Sequence, residues 1–108
     1  MKRVLLTSAL LVLPLTSVAA DKEHSEGSHK IHEVMMDSAK KMPDMEMSGD
    51  TDHDFAKMMA DHHRSGIKMA EIEIQNGKDK ELVALAKKIK TSQQEELKVL
   101  EKHSKMSH

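Results

Sequence analysis

The chain has no cysteine, no tryptophan and no tyrosine, and its one aromatic residue is Phe55. Without thiols it makes no disulfide framework, no thiolate metal site and no haem attachment through paired cysteines. Large side chains that would fill a core are scarce. Charge of either sign is not in excess: 17 Lys and Arg stand against 18 Asp and Glu. That balance argues against a nucleic-acid surface, which needs clustered positive charge. The apolar run at residues 4–13 is shorter than the roughly 20 residues a bilayer span takes. Catalytic arrangements are missing as well. There is no His-Glu-x-x-His, no nucleophile beside a base, and the single Glu-x-x-His spacing, Glu26 to His29, is short of the paired motifs of a di-iron bundle. The chain reads as non-catalytic.

What is present begins with an export signal. Lys2 and Arg3 precede the apolar run, and Val18-Ala19-Ala20 offers small residues for cleavage. This is the three-part pattern of a secretory leader, with cleavage expected after Ala20 and a periplasmic destination. A retained anchor is the weaker reading because of the run's length, and no membrane insertion is expected once the leader is gone. Loss of Lys2 and Arg3 takes the net charge from −1 to about −3. The remainder is one small domain with a marginal core. Such a chain calls for help from a metal or from self-association, so a homo-oligomer is expected.

Two residue types are abundant instead. There are 10 Met and 8 His, and all but Met1 follow Ala20. An exported protein works where thiols oxidise, whereas a thioether forms no disulfide and is soft enough to select Cu(I). The competing reading treats methionine as adaptable core filling in a chain poor in Leu and Phe. Position has to decide between them.

Residues 21–28 are polar and read as a mobile tail. A first helix is expected over residues 29–41, with Ile31, Val34, Met35, Ser38 and Met42 on one face. Pro43 and Ser48-Gly49-Asp50 break the pattern. Thr51 then serves as N-cap, with Asp54 completing an acidic capping box, for a second helix ending at Asn76 before Gly77. Asp79 caps a third helix running to Ser104, with Leu82, Leu85, Ala86, Ile89, Leu97 and Leu100 on its apolar side. The short link between the last two makes an antiparallel hairpin. The fold class expected is all-α: a helical hairpin with a shorter N-terminal helix, completed to a bundle by self-association. The division is leader 1–20, tail 21–28, short helix and Met-rich loop 29–50, and hairpin 51–104.

The second helix carries the densest chemistry. With successive residues about 100° apart, Phe55, Met58, Met59, His62, His63, Gly66, Met69 and Ala70 fall in one arc. Met58 with His62, and Met59 with His63, are i, i+4 neighbours whose side chains meet above one surface. A linear or three-coordinate soft ion fits such donors. Gly66 lets an ion or another helix come close. The alternative makes His62 and His63 hydrogen-bonded boundary histidines. Gln93 and Glu96 interrupt the third helix's apolar stripe, and either partner those imidazoles, as supporting groups do around metal-bound His, or face water at the stripe's edge. The loop holds Met42, Met45 and Met47, a Met-x-x-Met-x-Met run that forms a second soft site or folds back over the hairpin. His53 is near enough to join it. His29, His32, His103 and His108 read as solvated or adventitious ligands, and His24, fourth after the cleavage point, is one place off the third position an amino-terminal Cu(II) chelate needs.

The run Asp52-x-Asp54-Phe55-Ala56-x-Met58-Met59-x-x-His62-His63, followed by Ile67-x-Met69-Ala70, Gly77, Leu85-Ala86-x-x-Ile89 and Gln93-x-x-Glu96-Leu97, resembles a bacterial family of unknown function. Its named representatives are CopM-like periplasmic copper metallochaperones. The likeness covers residues 48–103. It implies a ferritin-like helical fold, export, and binding of Cu(I), Cu(II) or Ag(I) linked to copper tolerance. By matching motif it implies Met59, His62, His63 and Met69 as ligands, supported by Gln93 and Glu96. The expectation is therefore a periplasmic copper buffer or metallochaperone that exchanges cargo with an efflux or storage protein. Met58, Met59, His62, His63 and Met69 form a helix site, and Met42, Met45 and Met47 a loop site. The competing functions are an envelope interaction protein whose Met stripe is an oligomer seam, and a Zn(II) or Ni(II) binder.

Overall fold

The computed structural model describes residues 24–106. The leader expected at residues 1–20, with its cleavage point, lies outside them. Within them the chain is all-helical: α1 (Glu26–Lys41), a 3-10 turn (Met42–Asp44), α2 (Thr51–Asn76) and α3 (Lys80–Ser104). No helix among the described residues is long and apolar enough to cross a membrane.

Each helix starts at a side-chain cap. The Ser25 hydroxyl accepts from the Ser28 N–H at 3.2 Å, so α1 begins three residues earlier than the periodicity suggests. The polar stretch read as a tail is thus helical from residue 26, and Gly27 is buried against Asn76. Composition hides this because a glycine contributes nothing to an apolar stripe, yet its small size admits a neighbouring helix. Asp50, one place before the expected cap, accepts from the His53 N–H and opens α2. Asp79 caps α3 as expected, accepting from the Leu82 N–H. Gly77 ends α2 with φ −67°, so it stops the helix without the left-handed turn expected of a glycine there. A side chain at Gly77 would collide with Glu73, and that crowding is what requires glycine.

α2, with 26 residues, is about 39 Å long at 1.5 Å per residue and forms the spine. α3 folds back along it through residues 77–79, and α1 packs on it with Gly27 near Asn76 and Ser38 near the other end. Both flanking helices run antiparallel to α2, and they do not pack on each other. Among the described residues the buried apolar side chains are all small: Ala56, Ala60 and Ala70 from α2 and Ala86 from α3. Leu82 and Leu85, expected on the inner face of α3, are half exposed at 53% and 49%. Ion pairs flank the α2–α3 seam, Arg64 with Glu101 and Lys90 with Glu71, in exposed positions where each contributes about 0–1 kcal/mol.

Candidate metal centre

Because α1 and α3 both pack on α2 but stay apart, a cleft of about 730 Å³ opens beside the spine. It is lined by Met42 and Met45 from the chain after α1, and by Phe55, Met58, Met59 and His62 from α2. Leu97 and Gln94 reach it from α3, and Lys41, Asp61, Arg64, Lys68 and Glu71 bring charge to it. Hydrogen bonds to Glu101 first, and to Asp61, raise the Arg64 pKa and hold its guanidinium in place.

Of the residues expected at two separate sites, five therefore share one space. Four thioethers and one imidazole lie around it, the donor types a monovalent soft ion prefers. Met47 does not line it and is 63% exposed. Met69 is absent from the lining too, although its wheel position falls inside the arc. Among the described residues no group of three or more His, Asp or Glu side chains is placed to hold a metal ion. Sulfur is what this cleft has to offer.

His63 goes elsewhere. It is 8% exposed in the α2–α3 seam, and its Nε2 lies 2.5 Å from Glu96 Oε2. A carboxylate only accepts, so the ring donates at Nε2. Its Nδ1 is buried without a partner, as is Oε1 of Gln93. One turn along, the Gln93 carboxamide lies over Gly66, where a methyl group would come within 2.2 Å of Oε1. The hairpin thus has a polar layer in its middle, His63 with Glu96 and Gly66 with Gln93. Glu96 accepts from His63, while His62 faces the cleft away from that pair. His62 and His63 leave the helix about 100° apart, with ring centroids 6.2 Å from each other, and it is His63 that Glu96 engages.

The Gly66–Gln93 fit makes a testable pair. Alanine is about 1 kcal/mol better than glycine inside a helix. Gly66→Ala is therefore expected to stabilise a Gln93→Ala background by about that amount. With Gln93 present it should gain less or destabilise, since the amide must leave its slot. Chemical denaturation of the four proteins measures the coupling, and equal effects in both backgrounds would show that Gly66 does not serve Gln93.

Asp54 departs from its expected place. Read as the second half of a capping box, it instead turns away from the helix end and binds Ser48 and Gly49 in the loop. Those bonds, Ser48's first, hold its carboxyl below the usual carboxylate range.

Comparison with known protein families matches residues 8–104 to a domain of unknown function, DUF305. The chain belongs to this family. No curated protein and no solved structure matches it. For this DUF305 chain, membership fixes the kinship and leaves the activity to be argued from the cleft, the polar layer and the loop.

Proposed function

We propose that this protein is an exported binder of monovalent soft metal, Cu(I) first and Ag(I) by the same chemistry, acting as a buffer or metallochaperone in copper tolerance. The observation that carries the reading is the shared cleft, where Met42 and Met45 of the loop meet Met58, Met59 and His62 of α2. Thioethers carry no charge, so they bind a soft ion without the desolvation cost of thiolates or carboxylates. They also discriminate against Zn(II) and Ni(II), which prefer nitrogen and harder donors. Export rests on Lys2, Arg3, the apolar run and Val18-Ala19-Ala20. The likeness to CopM-like copper metallochaperones supports the same reading. Hand-over to an efflux or storage protein fits ligands that are partly exposed, Met42 at 59% and Met58 at 38%. No turnover is proposed.

Binding is tested by anaerobic competition with a colorimetric Cu(I) chelator, followed by Zn(II) titration of the same sample. Tight Cu(I) and weak Zn(II) binding supports the proposal. The reverse order removes it.

The apolar surface supports self-association as a second property. Leu82, Leu85 and Val99 on α3 are 53%, 49% and 58% exposed, and no large side chain is fully buried among the described residues. Three helices fall short of a four-helix bundle, and a second copy completes a larger one. Sedimentation is expected to show an oligomer that Leu85→Glu dissociates. A wild-type monomer at all concentrations contradicts this.

A further inference from the structure

Asp54 and His63 are the two buried polar or charged side chains among the described residues. The hairpin accounts for His63 through Glu96, but Asp54 has no part in it. Asp54 lies in the first turn of α2, where the cap is Asp50. Oδ1 of Asp54 accepts from the Ser48 N–H at 2.9 Å and from the Ser48 hydroxyl at 2.8 Å, and Oδ2 accepts from the Gly49 N–H at 3.2 Å. Gly49 itself has φ +86°, a backbone state that side chains disfavour, and the two successive N–H groups of Ser48 and Gly49 both donate to the one carboxylate. Ser48 Oγ also accepts from the Asp50 N–H, joining the clasp to the helix cap.

The other end of the segment is tied as well. In the Met42–Asp44 turn the Met45 N–H donates to the Met42 carbonyl at 3.2 Å. The tied turn itself carries Met42 and Met45, both in the cleft, and Met47 follows between the two ties, outside the cleft. A segment left untied would have to be ordered again at each binding event.

We propose that Asp54 is a positioning residue of the soft-metal site: its clasp on Ser48 and Gly49 holds the 42–47 segment so that Met42 and Met45 complete the donor set of Met58, Met59 and His62. This rests on the cleft being the metal site. It assigns the buried acid a role in affinity, exerted through two sulfurs it does not touch.

The experiment uses the whole secreted chain and Cu(I) itself, in the chelator competition, as a thermodynamic cycle. Met42→Leu/Met45→Leu is expected to weaken binding about a hundredfold and Asp54→Ala about tenfold, with the triple variant no weaker than the methionine pair alone. Equal losses from Asp54→Ala in both backgrounds would overturn the proposal, because the acid would then act without the loop sulfurs. Ser48→Ala removes the hydroxyl's bonds to Asp54 and to the Asp50 N–H but keeps the Asp50 carboxylate that caps α2, so it carries the cycle if Asp54→Ala does not fold. It should show the same non-additivity at smaller size, and wild-type affinity in the folded clasp variants also overturns the idea. A metal-free readout separates the clasp from the metal. Methyl NMR of the apo protein should place Met42 and Met45 beside the other cleft side chains, and this proximity should vanish in the clasp variants. If the methionines keep their places there, the clasp is refuted. If they leave the cleft but the wild type takes up no Cu(I), the metal reading falls and the clasp stands as the device that shapes the cleft.

Discussion

Replacing Met58 and Met59 together by leucine is expected to lower Cu(I) affinity by about a hundredfold or more while leaving the fold in place. The lower bound follows from metal sites generally, where loss of an outer partner alone costs about 10–100-fold, so loss of two direct donors costs at least the upper figure. A hundredfold is about 2.7 kcal/mol of binding free energy. Met to Leu is close to volume-conserving and typically costs below about 1.5 kcal/mol of stability even in a packed core. Here Met58 is 38% exposed, so the fold should hardly register the change. His62→Ala should add to the loss. Met47→Leu and Met69→Leu should not, since neither side chain lines the cleft. The chelator competition reads all of these on one scale. A loss as large at Met69 as at Met58 and Met59 would mean that the ion sits on the wheel's arc and not in the cleft.

The second large effect concerns stability. Glu96→Ala is expected to destabilise the hairpin by about 1–3 kcal/mol, because it strands a buried ring that already has one unpartnered nitrogen. In a domain of this size each kcal/mol lowers Tm by about 4–8 °C. The loss comes from His63 being left unpaired, and little of it from the ion pair, since the Glu96 side chain is 59% exposed. His63→Leu should therefore cost less than Glu96→Ala, since it removes the polar ring and lets the carboxylate face water. Neither change should reduce Cu(I) affinity of the folded protein much. Thermal melts paired with the chelator assay check both halves. A collapse of metal binding in His63→Leu with an unchanged melt would return His63 to the ligand set.

The contrast between His62 and His63 shows what periodicity leaves open. It places both on one broad arc with Phe55, Met58, Met59, Gly66 and Met69. An arc that wide meets two neighbours, and α3 takes the His63 edge while the loop and α1 share the cleft with His62. Which edge meets which helix depends on packing that the wheel does not contain. The hairpin itself is legible, because Asp79, Gly77 and the apolar spacing agree over long segments. The start of α1 is not, since Glu26-Gly27-Ser28 carries no apolar signal and its burial comes from Asn76 of another helix. Ser48-Gly49-Asp50-Thr51 offers several caps in a row, and only the hydrogen bonds separate Asp50 as the cap from Asp54 as the clasp. The loop methionines have two readings, a site of their own or a cover for the hairpin. Met42 and Met45 in the cleft unite the two, and Met47 belongs to neither.

X-ray absorption at the copper edge of the Cu(I)-loaded protein asks most directly whether loop and helix sulfurs share one ion. The expected spectrum shows sulfur neighbours together with an imidazole nitrogen, and a sulfur count that falls both in Met42→Leu/Met45→Leu and in Met58→Leu/Met59→Leu. A first shell of nitrogen and oxygen alone, or a sulfur count untouched by one of the two pairs, would contradict it.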